Sequence, residues 1–483
     1  MPELTIQQAF ELATRLARSG RLAEAEQLFG QIIARRPRSA EARYNLARVL
    51  ADKGDAGGAV ASYRESLKLR PDFCEAMSNL GDLLRMRGEL PEAIELLRRS
   101  VALRPGFVEA HYNLGLALSD SGQTDEAAEQ MRKVLALSPA SADAWNQMGN
   151  LLREQNQPDQ AIAAYRKALE LRPQFPEARW HLSLTLLLEG NFPEGWQAYE
   201  ARREMRAIWR DPGLAQPPWD GTPLGGRTIV LWAEQGLGDT IQFIRYVPQV
   251  KSLGGQVIVV SQPELHKLLA GQHWIERVLS FGEEVWPAEF QCPLLSLPKI
   301  LRTTLQTVPN ATPYLRADPG LAARWKSRMS PDRLNVGLVW STKPAVPGSG
   351  KRSIGLHAMA PLAGVPGVRF WSLQKGEAAR EAQAPPAGMD LVDCSAEFAD
   401  FADTAALIAN LDLVIACDTA VAHLAGAMGV RTWLALPLAA PWRWMRKRDD
   451  SPWYPTARLF RQTRAGDWTV PMETMARELD GSA

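Results

Sequence analysis

The stretch LVIACDTAVAHLAGAMGV, residues 413–430, decides how the second half of this chain folds. Its first residues, Leu413 to Cys417, form an apolar run of the length expected for a buried parallel strand. Asp418 and Thr419 end that run. Ala420, Ala422, Ala425, Gly426 and Ala427 give the next segment the small residues of a closely packed helix, and Gly429 supplies a C-terminal stop. A second apolar run follows from Thr432 to Leu436. The unit reads strand, turn, helix, strand, and so belongs to an α/β domain. Open parallel sheets bind ligands outside the carboxyl ends of their strands, where Asp418 and Thr419 fall. The helix start offers unpaired N–H groups to a phosphate. His423 lies one turn past Thr419 and leans back toward the same spot. Asp and Thr are also common N-caps, and His is a common core residue, so capping and ligand binding both remain open on this segment alone.

Upstream of that stretch the pattern is the same. Thr228 to Ala233 reads as a strand and Glu234 to Asp239, EQGLGD, as a tight turn. Thr240 to Lys251 reads as a helix with Ile241, Ile244, Val247 and Val250 on its apolar side, and Gln256 to Val260 as the next strand. The dinucleotide fingerprint fails because Ile241 stands where its third Gly belongs, and no Gly-Lys-Ser/Thr follows to make a Walker motif. What remains is a Gly-x-Gly-Asp turn that places Asp239 at a helix start, as a cap or as a functional carboxylate. Leu334 to Trp340 opens a second α/β unit. The loop from Ser341, Thr342 and Lys343 to Lys351 and Arg352 has the composition of a basic lip over a phosphate, or of a solvated surface loop. Arg369 to Leu373 is a further strand, ended by Gln374-Lys375-Gly376, and Asp400 to Ala409 a helix. The later aromatics, Trp442, Trp444, Trp453 and Tyr454, suit a packed corner better than a sugar platform.

The first two hundred residues repeat. Prolines fall at Pro37, Pro71, Pro105, Pro139 and Pro173, in steps of 34 residues. Gly20, Gly54, Gly88 and Gly122, with Asn156 and Gly190, form a second series, and Asn45-Leu46-Ala47, Asn79-Leu80-Gly81 and Asn113-Leu114-Gly115 a third. Period and position-specific chemistry resemble the tetratricopeptide repeat, which implies a superhelical stack of helix pairs with a concave face. Asn45, Asn79 and Asn113 would line up as a column of amides able to grip a peptide backbone, and similar columns occur in the repeats of O-GlcNAc transferases. The series departs at Gln147 and His181.

Composition bounds the function. The chain has 483 residues, with 46% hydrophobic and 23% charged, as in ordinary globular protein. A net charge of +1 gives no electrostatic case for nucleic acid or an anionic membrane. Cys74, Cys292, Cys394 and Cys417 are scattered, against a disulfide framework or a structural zinc site. The opening residues lack a signal-peptide core, and no apolar run is long enough to span a bilayer. The expectation is a soluble, cytoplasmic protein with no transmembrane segment.

Two successive α/β units, each with a polar turn facing one cleft, resemble the GT-B architecture. Gly238-Asp239, followed by Asp418-Thr419-Ala420-x-x-His423, is similar to the heptosyltransferases of glycosyltransferase family nine. The resemblance implies that Asp239 is the catalytic base. It implies that Asp418, Thr419, Ala420 and His423 hold the donor diphosphate, with Ser341, Thr342, Lys351, Gln374 and Lys375 completing the donor side. Gln374-Lys375 stands where relatives often place an acidic residue for the donor ribose. The expected architecture is therefore an all-α repeat solenoid over 1–205, a linker over 206–226, an acceptor-side Rossmann-like domain over 227–330 and a donor-side one over 331–483. The expected activity is nucleotide-sugar-dependent glycosyl transfer, with the nucleotide-diphosphate sugar as co-substrate, a protein or peptide acceptor recruited through the repeat groove, and no metal, since no Asp-x-Asp pair is placed to hold one. The alternatives are a non-catalytic scaffold with a degenerate GT-B domain and a transferase acting on a lipid-linked glycan.

Overall fold

The computed structural model describes residues 4–284, 287–342 and 352–481. The chain divides into two compact units, Met1–Ala178 and Arg179–Ala483.

The first unit is a helical-repeat solenoid. Its helices are α1 (Ile6–Arg18), α2 (Leu22–Arg35), α3 (Ala40–Asp52), α4 (Ala56–Leu69), α5 (Cys74–Met86), α6 (Leu90–Leu103), α7 (Val108–Asp120), α8 (Thr124–Leu137), α9 (Ala142–Glu154) and α10 (Pro158–Leu171). The division between units falls inside α11 (Pro176–Leu188). The turn inside each pair needs a left-handed residue. Gly20, Gly54, Gly88 and Gly122 supply φ between 78° and 84°, and Asn156, a residue type that tolerates this region, supplies φ 60°. The paired helices touch at small residues. A Cβ on Gly81, Gly115 or Gly149 would lie 2.6 Å from Leu97, 2.5 Å from Met131 or 2.5 Å from Tyr165.

The asparagine column exists, but its amide nitrogens are engaged inside the solenoid. The Asn45 amide donates to the Glu41 carbonyl at 2.8 Å. That of Asn79 donates to the Tyr44 and Tyr63 hydroxyls at 3.2 and 3.3 Å, and that of Asn113 to Ser78 Oγ at 3.1 Å. All three side chains are partly buried. Asn79 and Asn113 thus tie each repeat to the one before it.

The second unit opens on the rest of α11 and α12 (Phe192–Tyr199). It continues with β1 (Thr228–Trp232), α13 (Leu237–Phe243), α14 (Val247–Ser252), β2 (Gln256–Ser261), α15 (His266–Ala270), β3 (Arg277–Ser280), β4 (Phe290–Pro293), α16 (Leu297–Ile300) and α17 (Pro319–Lys326). Then come β5 (Leu334–Val339), β6 (Val368–Ser372), β7 (Leu391–Asp393), α18 (Phe401–Ile408), β8 (Leu413–Ala416), α19 (Ala420–Ala427), β9 (Thr432–Leu436), β10 (Ala457–Arg461) and α20 (Thr469–Asp480). The strands form two parallel sheets, ordered β3-β2-β1-β4 and β10-β9-β8-β5-β6-β7, consistent with a two-domain GT-B-like unit.

Strand order reverses between β1 and β4 in the first sheet and between β5 and β8 in the second. The Gly-Asp turn follows β1 and the Asp-Thr turn follows β8, so both motifs sit at the reversals, where open α/β sheets place ligands. The helix expected over Thr240 to Lys251 is broken by a 3₁₀ turn at Ile244–Tyr246. Pro248 has no N–H and its ring crowds the Ile244 carbonyl, which ends the α-helix there.

The unit boundary falls earlier than the expected one at 205. Phe192, Trp196 and Tyr199 of α12 are buried in the α/β core. Trp196 packs edge-on against Trp442 at 5.3 Å, Phe243 at 6.2 Å and Trp453 at 6.3 Å. Those later tryptophans are core residues. The linker tryptophans are packed too, Trp219 by burial and Trp209 at 5.1 Å from Trp232.

The repeat packing makes a direct prediction. Gly149→Val forces Cβ into the Tyr165 ring and should destabilise the solenoid by roughly 1–3 kcal/mol. Gly106→Ala meets open space and should be neutral. Denaturant unfolding followed by far-UV circular dichroism compares the two, and equal midpoints would mean that the helix pairs do not touch at these glycines.

Candidate functional site

Two helix starts meet at the candidate site. The first turn of α13 packs on the first turn of α19, and Gly238 makes the approach possible. A Cβ on Gly238 would lie 2.9 Å from His423 Cδ2 and 3.4 Å from the Ala420 Cα. Within α19, Gly426 plays a similar part, since a Cβ there would lie 2.5 Å from the Tyr454 ring. That contact brings the Tyr454 hydroxyl within 2.8 Å of His423 Nδ1.

Each turn holds its carboxylate firmly. Asp239 sits at N3 of α13, where its Oδ2 accepts from the Gly236 N–H at 3.1 Å. Its Oδ1 is paired with the Arg443 guanidinium. Arg443 also donates through Nε to Gln242 Oε1 at 2.9 Å and lies over the Trp442 ring. Asp418 is buried and accepts from Trp444 Nε1 at 2.7 Å and from Arg352 Nη1 at 3.0 Å. His423 Nε2 is 3.8 Å from Asp418 Oδ1, too far for a hydrogen bond. The His423 ring stacks on Trp444 at 5.1 Å. Among the described residues, Thr419 Oγ1 and Gln242 Nε2 are buried and make no hydrogen bond.

Burial and neighbouring cations set the charges. Burial lowers the His423 pKa to about 4, assisted by Arg443 and Arg245 and opposed by Asp418 and Asp239. The imidazole is therefore neutral at neutral pH. Burial works to raise the Asp418 pKa, but His423, Arg443, Arg352 and the Trp444 N–H outweigh it and hold it below the usual carboxylate range. With His423 neutral, the two arginines and the indole carry that effect at neutral pH. Burial also opposes the charge on Arg443, and Asp239, with Tyr199 and Asp418, more than restores it.

The remaining residues expected on the donor side surround the ends of β5 and β6. Gln374 is a bracket: its Oε1 accepts from the Trp340 and Ser341 N–H groups at 3.1 and 2.9 Å, and its Nε2 donates to the Ser341 and Lys375 carbonyls. Ser341 and Thr342 meet Ser353. Lys375 turns to the Ser395 and Phe398 carbonyls, at 2.7 and 2.8 Å. Lys351, with the loop from 343, lies outside the described residues. Thr419 is the N-cap residue of α19 and Ala420 its first residue. The structure thus brings Asp239, Asp418, Thr419, Ala420 and His423 together, while Gln374 and Lys375 serve the backbone around them.

Sequence reading placed Arg352 only in a basic lip, behind Lys351, and gave no role at the site to Arg443, Trp444 or Tyr454. Each is distant in sequence from its partner. The one local signal is the run Pro441 to Trp444, whose Pro and aromatics mark a rigid turn without showing which way Arg443 points. Behind the site, the buried Arg202 binds Glu234, at the end of β1, at 2.8 Å. The Glu234 pKa is raised by burial against the pull of Arg202. Among the described residues no group of three or more His, Cys, Asp or Glu is set to hold a metal ion, and no helix is long and apolar enough to cross a membrane.

Comparison with known proteins covers the two units unequally. Models described as tetratricopeptide repeat match residues 10–72, 108–141 and 142–175, and one described as TPR repeat matches 81–122. The first unit is therefore made of tetratricopeptide repeats, which support a protein-interaction role. Protein FlbA of Caulobacter vibrioides is 28% identical over 335 residues, 61% of this chain and 53% of FlbA, so the chain spans about half the length of that relative. Among solved structures, MamA 41-end from Desulfovibrio magneticus RS-1 is 26% identical with a TM-score of 0.33, covering 35% of this chain and 96% of that one. TTC0263, a thermophilic TPR protein in Thermus thermophilus, is 24% identical with a TM-score of 0.33, covering 38% and 100%.

Two predictions follow from the site geometry. Gly238→Ala should destabilise the second unit by roughly 1–3 kcal/mol, because neither α19 backbone nor the wedged His423 can yield cheaply. A melting temperature equal to the parent's would mean that the helices do not meet there. The second concerns acid. Between pH 6.5, the ordinary His value, and about 4, the unfolded chain protonates His423 and the folded chain does not. Proton uptake then favours unfolding, so stability is full above 6.5 and falls toward pH 4, by an amount on the order of 3 kcal/mol. Urea titrations at stepped pH should show a shallower fall for His423→Gln, and parallel curves would contradict the neutral imidazole.

Proposed function

We propose that the second unit is a nucleotide-sugar-dependent glycosyltransferase, similar to the heptosyltransferases, acting in the cytoplasm, and that the repeats recruit its protein or peptide acceptor. The observation that carries this reading is the meeting of two polar turns, each at the strand-order reversal of its own parallel sheet, with Asp239 on one and Asp418-Thr419-Ala420-x-x-His423 on the other. A diphosphate beside α19 would gain the unpaired N–H groups of its first turn and the positive end of its dipole. The buried, unpartnered Thr419 hydroxyl and Gln242 amide are further polar groups for a ligand to meet. His423, neutral and pinned by Tyr454, orders this turn and adds at most a neutral N–H.

The reaction would be a displacement at the anomeric carbon. The acceptor oxygen forms a bond to that carbon, and the bond from carbon to the phosphate oxygen breaks. The nucleoside diphosphate leaves with the electron pair, and Asp239 takes the acceptor's proton. Arg352 and the α19 N–H groups would stabilise charge on the leaving group. A non-catalytic scaffold is the second reading, favoured by the Arg443 pair that occupies Asp239.

Donor hydrolysis by the purified chain, screened over UDP-, GDP- and ADP-sugars, tests the proposal. Asp239→Ala should reduce turnover roughly 100- to 10,000-fold without abolishing diphosphate binding. Hydrolysis of none of these sugars and binding of none of the nucleotides would leave the scaffold. For the repeats, the Asn45, Asn79 and Asn113 nitrogens are already spent inside the solenoid, which leaves the amide oxygens for an acceptor backbone. Replacing all three by Ala should weaken acceptor binding roughly tenfold, lower solenoid stability by about 1 kcal/mol for each tie lost at Asn79 and Asn113, and leave donor hydrolysis unchanged. Equal modification of the acceptor by the triple variant would remove the column from the binding groove.

A further inference from the structure

We infer that Arg443 is a donor-responsive positioning residue, one that holds the Asp239 carboxylate and transfers to the diphosphate of a bound donor. This rests on the glycosyltransferase reading above and extends it to a residue that the motifs do not contain.

Both Asp239 oxygens are engaged, Oδ2 by the Gly236 N–H and Oδ1 by Arg443. Arg443 thereby occupies the oxygen that an acceptor hydroxyl would have to reach. A base held this way needs its cation drawn off before it can take the acceptor's proton.

Arg443 is built to change partners. Its Nε is fixed on the neutral Gln242 Oε1 at 2.9 Å, and its Cζ lies 4.7 Å from the Trp442 ring centroid. Those contacts hold the root of the guanidinium and leave its terminal nitrogens, one of which carries Asp239, to exchange. A diphosphate outcompetes one carboxylate because it offers several anionic oxygens in the fork geometry that guanidinium groups match.

The surroundings supply a second donor for the same anion. Gln242 is fully buried, and its Oε1 accepts from Arg443 Nε, which leaves its Nε2 beside the guanidinium as a further donor. That nitrogen has no partner among the described residues. An oxygen drawn onto Arg443 would meet it. The chain also fixes where Arg443 stands. The next residue, Trp444, donates to Asp418 at the turn that opens α19, so one peptide step joins the Asp239 side of the site to the Asp418 side. Met445 follows in the left-handed region at φ 53°, a costly conformation for a residue with a side chain and one found at sites where geometry is over-determined. No covalent bond changes in the exchange, and the only proton that moves later is the acceptor's, onto Asp239.

The test is a double-mutant cycle read by calorimetric binding of UDP, GDP and ADP to the full chain, with circular dichroism melts as the folding control. Arg443→Gln should weaken binding of the preferred nucleotide about tenfold or more. Asp239→Asn should strengthen it about three- to thirtyfold, because the released guanidinium no longer has to be won from Asp239. The gain should vanish when Asp239→Asn is made in the Arg443→Gln background, whereas removing a negative charge in general would give the same gain in both. Should Arg443→Gln fail to fold, Arg443→Lys carries the comparison, and the gain should fall below the parent's because an ammonium cannot hold Gln242 and an anion together. An equal gain in both backgrounds, or parent-like affinity in folded Arg443→Gln, overturns the exchange and leaves the transferase reading standing. Binding of none of the nucleotides by the parent overturns that reading and this one with it.

Discussion

The contact between Gly238 and the α19 N-terminus is the constraint on which the rest of the second unit depends. Two parallel sheets can each place a polar turn at a strand-order reversal without those turns ever touching. Here a missing side chain lets one helix start come to rest on the other, with a Cβ-to-Cδ2 approach of 2.9 Å had there been a Cβ. Once the helices meet, His423 has no route to solvent. It must be neutral, and it finds Tyr454 on one side and the Trp444 face on the other. The same closeness puts two carboxylates, Asp239 and Asp418, in one small volume. That would be unfavourable without cations, and Arg443 and Arg352 answer it.

Buried charge explains much of the architecture behind the site. Arg245 is buried among Tyr314, Tyr454 and Trp453, and donates to the Trp453 carbonyl at 2.6 Å and the Tyr314 hydroxyl at 2.9 Å. Its charge is held by carbonyls, a hydroxyl and ring faces, and it helps keep His423 deprotonated. Arg202 and Glu234 form a second buried set, joined by Glu200 and Ser296. It fixes the end of β1, from which the Gly-Asp turn springs. The aromatic packing of Trp196 on Phe243, Trp442 and Trp453 then holds α12, α13 and the turn that carries Arg443 as one body.

The repeats are stabilised by a different logic. Helix pairs are closed by a left-handed residue, and at Gly81, Gly115 and Gly149 a small residue faces a large one across the pair, so the same packing recurs along the solenoid. The asparagines belong to this scheme as well. A side chain that reads in sequence as a free amide facing a groove spends its nitrogen on the previous repeat, at Tyr44, Tyr63 and Ser78. Any peptide bound there would meet residues already fastened in place.

The sequence by itself determined the elements whose signals are local. A 34-residue period, left-handed glycines with Asn156 in their series, and apolar strand runs ended by polar turns all depend on residues near one another in the chain. They placed β1, β2, β5, β6, β8, α19 and β9 closely, and they singled out Asp239, Asp418, Thr419 and His423, which the fold brings together. Short strands such as β3, β4 and β7 carry too few residues for a period to show. The break in the helix after Thr240 was written in Pro248, but it needed the Ile244 carbonyl to be weighed against the apolar stripe. Tertiary structure alone decided that α12 belongs to the α/β core, that Gly238 faces His423, and that Arg443 and Arg352 neutralise the two carboxylates. Those are contacts between residues far apart in sequence. A guanidinium on an aromatic turn has no preferred direction until burial and an opposing charge give it one.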